Sequence, residues 1–177
     1  RMLHDVTVIS GVGFMMMSMK ILKFLPGIAF ASGHKTLLLI PLYILASRLT
    51  YSRWGGTAAG SIMGVIGLMM GDGRTGVFEV FKHVVPGVVV DLANPLVSRL
   101  PHWKSVYCVL GFVVAAFRTS TELVLVFLPA LTSGNLWETP ELQAFPAAKL
   151  IPNLFFGTLS GLVPNQAIAD CSAKNVF

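Results

Sequence analysis

Residues 54–76 read Trp54-Gly-Gly-Thr-Ala-Ala-Gly-Ser-Ile-Met-Gly-Val-Ile-Gly-Leu-Met-Met-Gly-Asp-Gly-Arg-Thr-Gly76. From Trp54 to Gly71 there is no charge, and about eighteen residues of helix approach the thickness of a bilayer core. Gly56, Gly60 and Gly64 recur at i, i+4, i+8 and share one stripe; Gly67 and Gly71 repeat the spacing on the next stripe. In water such glycines weaken a helix by up to about 1 kcal/mol each. In lipid they make a flat face that another helix backbone can approach closely. The stretch predicts the packing spine of an all-α, polytopic membrane protein, ended by the polar turn Gly71-Asp72-Gly73-Arg74.

Composition extends that expectation to the whole chain. Of 177 residues, 54% are hydrophobic and 12% charged, about half the charge a soluble domain carries. Mean hydropathy is +0.74, and the deficit of charge runs from end to end, leaving no stretch for a separate soluble domain. The net charge of +5 is not a nucleic-acid signal, because the 13 Lys and Arg are scattered toward span ends, where cations flank lipid-buried helices. Cys108 and Cys171 are expected at different depths, which speaks against a disulfide, and two cysteines are too few for a metal site. No cofactor is called for. The first apolar run has no small-residue cleavage pattern after it and is read as a span, not a signal peptide.

Six spans are expected: Val6–Leu25, Thr36–Leu49 with Pro41 as a kink, the glycine helix, Val77–Val97 interrupted at Pro86-Gly87, Trp103–Leu131, and Phe145–Ala169. An even number puts both termini on one side. The Lys and Arg count, six on that side against five on the other, favours a cytoplasmic placement of the termini.

Ionisable groups inside spans cost several kcal/mol unless paired or hydrated, so each calls for a role. Counting 1.5 Å per residue, Lys20, the set Glu79, Lys82 and His83, the pair Arg118 and Glu122, and Asn153 all fall in the half of the membrane away from the termini. Glu79 with Lys82 and His83, and Arg118 with Glu122, have the i, i+3 and i, i+4 spacings of same-face pairs. Two readings stand side by side: ion pairs that neutralise each other within the bundle, or a solute pocket lined by the same residues. The sum of Lys20, Lys82 and Arg118 against Glu79 and Glu122, with His83 of undecided charge, is slightly positive, which suits a ligand with a carboxylate or other anionic group, while the carboxylates could hold an amine or ring NH. Asp91 is read as a structural partner of Asn94, and Trp137 as either an interfacial anchor or a cover for a planar ligand.

In size, six-span layout, small-residue-rich early spans and the turn Gly71–Gly76, the chain resembles the substrate-binding S components of energy-coupling factor (ECF) vitamin transporters. The segment Leu37 to Asp91, with Pro41, the glycine helix and Pro86-Gly87, has the look of that group. Span one departs from the family's small-residue stripe, since Phe14, Met15 and Met17 stand where alanines would continue it. The resemblance implies capture of a small water-soluble vitamin or precursor under the loops between spans one–two, three–four and five–six. That adds His34 and Lys35, Asp72 and Arg74, and Trp137 to the candidate site. It also implies a transmembrane coupling subunit and ATPase subunits as partners, with Gly56, Gly60 and Gly64 as the docking face. No GxxxxGK[ST] phosphate loop occurs, so ATP hydrolysis would lie on other chains. The competing classes are an ATP-independent carrier or channel and an integral membrane enzyme. Against the enzyme, neither HExxH nor GxSxG is present.

Overall fold

The computed structural model describes residues 1–21, 34–71, 76–100, 104–134, 145 and 149–163, with backbone alone at 20, 21, 34, 35, 104, 130 and 133. Among them are six helices and no strand: α1 (Met2–Ile21), α2 (His34–Leu49), α3 (Gly55–Met69), α4 (Glu79–Val97), α5 (Lys104–Ser133) and α6 (Ile151–Ser160). A single 3-10 turn, Gly76–Phe78, leads into α4.

Among the described residues two helices are long and apolar enough to cross a membrane, through Met2–Met19 and Ser105–Pro129. The glycine helix is shorter than its sequence suggests. Its 15 residues rise about 22 Å against a hydrocarbon core of about 30 Å. Trp54 stays outside its first turn, and Gly71 closes the far end at φ +68°. α4 runs unbroken through Pro86-Gly87, where an interruption was expected. His34 and Lys35 belong to the first turn of α2 and not to a connector.

α2 is the centre of the bundle and packs against every other helix. It supplies much of the core: Leu39, Ile40, Leu42, Tyr43, Ile44 and Ala46 are all buried. The closest pairing is α3 on α4, and here the glycine stripe finds its use. A Cβ on Gly56 would meet Asp91 Oδ1 and the carbonyls of Gly87 and Tyr43; one on Gly60 would run into the His83 carbonyl; one on Gly64 would press on Val80. The stripe is therefore consumed inside the chain. Gly56, Gly60 and Gly64 do not form an open docking face, because α4 already lies against them.

A second glycine crossing joins α5 to α6. Gly157 sits against Ala115 and the Gly111 carbonyl, and Gly161 against the Tyr107 carbonyl. Gly157-x-x-x-Gly161 is the same i, i+4 device as on α3, in a stretch that was read only as a span.

The start of α3 is held from outside its own sequence. Trp54 stands at the N-cap and has no side-chain oxygen to accept the first N–H groups. Asp91 of α4 does it instead: Oδ1 accepts the Gly56 N–H at 3.0 Å, and Oδ2 accepts the Thr57 N–H and hydroxyl, both at 2.7 Å. A buried carboxylate at a helix N-terminus is matched by the positive end of the helix dipole. Asp91 is thus structural, though not through Asn94, which donates to the carbonyl and hydroxyl of Ser47. At the chain start Asp5 does similar work, taking the N–H groups of Tyr51 and Ser52 at 2.8 and 3.0 Å.

The core is mainly apolar, with Arg118, Asp91, Asn153, His83, Thr36 and Thr119 buried among its hydrophobic side chains, and large apolar side chains such as Phe14, Phe81, Leu96, Phe112, Leu128 and Phe155 also face outward.

Candidate functional site

A layer of polar side chains, some buried and some half-buried, lies toward one end of the bundle, where α2, α4 and α6 begin and α5 has run about half its length. Two linked sets occupy this layer. In the first, Lys82 Nζ lies 2.9 Å from Glu79 Oε1 on its own helix and 3.8 Å from Glu122 Oε1 on α5. Lys149, just before α6, reaches the same Glu122 oxygen at 2.8 Å. Its ammonium also stands 5.6 Å from the centre of the Phe145 ring. Two carboxylates and two ammoniums alternate along this chain, which ties α4, α5 and the approach to α6 together.

In the second set, Arg118 Nη1 donates to Thr36 Oγ1 at 2.7 Å, and the Thr36 hydroxyl donates to Asn153 Oδ1 at 2.9 Å. The three residues come from α5, α2 and α6 and are all buried. The expected Arg118–Glu122 pair is not formed. The i, i+4 spacing places both on one face of α5, but Glu122 is taken by Lys82 and Lys149, and Arg118 turns to α2. No described carboxylate pairs with Arg118.

Of the residues expected at the site, Glu79, Lys82, Arg118, Glu122 and Asn153 therefore meet in the two sets. His83 is buried in the same layer, with its carbonyl over Gly60. The side chains of Lys20, His34 and Lys35, and the whole of Asp72, Arg74 and Trp137, lie outside the described residues. Two contributors were not anticipated from sequence, Thr36 and Lys149. Tyr43 and Thr119 are almost fully buried, and their hydroxyls have no hydrogen-bond partner among the described residues.

A groove of about 380 Å³ lies elsewhere, toward the other end of α4 and α5. Its walls are Leu96, Val97, Leu100, Val106, Val109 and their neighbours, almost wholly apolar. It contains no member of either polar set. Among the described residues no group of His, Cys, Asp and Glu could hold a metal ion.

Comparison with protein-family models, with curated proteins and with solved structures finds no match. The functional reading therefore rests on the chain's own residues.

Proposed function

We propose that this chain is a six-span membrane protein that captures a small water-soluble solute in the layer of α2, α4, α5 and α6. By the likeness drawn from its sequence, it would act as the substrate-binding component of an ECF-type importer. The observation that carries the reading is the combination of large apolar side chains on the outside, as a lipid environment requires, with a buried Arg118–Thr36–Asn153 set beside a partly exposed network of charges from α4, α5 and the approach to α6. Buried ionisable groups in lipid mark ligand or ion paths more often than they mark stability, since removing them in favour of apolar packing costs nothing in principle. A helix as short as α3 is accommodated by local thinning of the bilayer around it.

In this reading the Glu79–Lys82–Glu122–Lys149 chain is the frame, and Arg118 with Asn153 is the part left to meet a solute. The given sequence carries no GxxxxGK[ST] phosphate loop, and in this reading delivery falls to a coupling subunit and ATPases. With α3 closed off by α4, the docking surface has to be sought on other helices, and the outward face of α1 is one that remains open.

The test is purification in mild detergent from cells that express the chain at its native level. The expected result is a complex with one further membrane subunit and a pair of ATPases, together with ATP-dependent uptake after reconstitution. Uptake that proceeds by the isolated chain, without ATP, would move the assignment to a carrier.

A further inference from the structure

We infer that the apolar groove between α4 and α5 seats one acyl chain of an anionic phospholipid, with Arg99 on its headgroup. The inference rests on the membrane placement proposed above and is independent of the solute-binding layer.

Shape is the first ground. Val97 and Leu110, both buried, form the floor of the groove, and the exposed Leu96, Leu100 and Val109 form its rims. Ser105 is the one polar residue among those that line it. A water-soluble solute would find almost nothing there to hydrogen-bond, whereas a hydrocarbon chain asks for nothing else. Along α5 the groove runs from Ser105 to Val113, about 12 Å at the helical rise. One leaflet of the hydrocarbon core measures about 15 Å. The groove therefore follows the helices through most of a leaflet, the course that a lipid tail takes.

Charge at the mouth is the second ground. α4 and α5 are antiparallel: Lys82 faces Glu122 toward one end, and Leu100 and Ser105 close the groove at the other. That other end is where the chain turns between the two helices, the level at which headgroups lie. Arg99 is exposed there, between the rim residues Leu96 and Leu100, and its backbone N–H donates to the Leu96 carbonyl at 3.2 Å. Lys104 is the first residue of the opposite wall, α5. From Leu92 to Thr121 the sequence has no Asp or Glu. Both walls and their connector thus carry positive charge alone. A phosphodiester with one negative charge matches the arginine fork and stands at the right depth to meet it while its tail lies in the groove.

The same charge speaks against a second copy as occupant. Two chains of one orientation, related by a two-fold axis along the membrane normal, would bring both Arg99 side chains to one height at the shared groove. Like charges would then face each other.

The experiment is native mass spectrometry of the full chain, released from mild detergent that contains equimolar dioleoylphosphatidylglycerol and dioleoylphosphatidylcholine. The expected result is one retained lipid, with the glycerol lipid favoured by about 5-fold or more, since one cation at a membrane surface is worth about that factor. Arg99→Gln should bring the ratio close to one. Val109→Trp, which fills the groove from its exposed rim and keeps every cation, should do the same. Arg53→Gln removes an exposed cation that lies outside the groove and should leave the preference in place. Equal retention of the two lipids by the wild type, or a preference unchanged in Arg99→Gln or Val109→Trp, would overturn the seat. An equal fall in Arg53→Gln would also overturn it, in favour of diffuse surface charge. A lipid-free dimer that Val109→Trp dissociates would give the groove to a second copy. Lipid retained without preference overturns the seat and leaves the membrane placement standing; a chain that stays in solution without detergent and carries no lipid overturns both.

Discussion

Phe117 and Arg118 are neighbours on α5, yet Phe117 is 52% exposed and Arg118 8%. In water this arrangement is costly twice over, once for the bare ring and once for the buried charge. In a bilayer the ring is at home, and the charge is drawn inward to Thr36. A Phe117→Trp variant, with the three native tryptophans replaced by Phe, tests the environment directly. In liposomes of brominated lipid its fluorescence should be quenched by at least about half, as expected for a ring among acyl chains. Fluorescence unaffected by the bromine, together with quenching by aqueous iodide, would place this face in water.

The Asp91 contact makes a prediction about stability that is independent of any ligand. Three charge-assisted hydrogen bonds converge on this carboxylate, and no other side chain caps α3. Asp91→Ala should lower unfolding stability by about 3 kcal/mol, since it strands buried N–H groups. Asp91→Asn should recover only part of the loss, because its amide nitrogen would face a donor. Stability measured in detergent with an Asp91→Ala loss under about 0.5 kcal/mol would mean that α3 begins without help from α4.

Glycine substitutions separate packing from docking. Gly60→Ala sets a methyl against the His83 backbone carbonyl, which cannot retreat without moving α4. A loss of about 1–3 kcal/mol is expected. Gly11→Ala on α1 meets nothing within 4 Å and should gain up to about 1 kcal/mol from helix propensity. Urea or thermal unfolding of both variants checks the pair; equal effects would contradict the close α3–α4 approach.

The course of α5 was legible almost to the residue, from Trp103–Leu131 expected to Lys104–Ser133 found, because a long apolar run bounded by a Pro-His turn leaves little choice. The polar layer was legible as well. A fixed rise per residue puts Glu79, Lys82, Arg118, Glu122 and Asn153 at similar heights, and they are joined in two linked sets. Partners were not legible. Local spacing says that Arg118 and Glu122 share a face but not that Lys82 and Lys149, on other elements, would claim Glu122. The glycine stripe announced a close approach without saying to what, and α4 proved to be the answer. Asp91 reaches a helix end 34 and 35 positions earlier, beyond any local pattern. The Gly157–Gly161 spacing was in plain view and carried the same message as the stripe on α3.

The most direct measurement is native mass spectrometry of the chain released from mild detergent, comparing wild type with Arg118→Met. Expected is one small solute per wild-type chain, identified after denaturation, and a bare chain in the variant. A wild-type chain that carries no solute, or an adduct that persists unchanged when Arg118 is gone, would contradict the reading of this buried layer as a binding site.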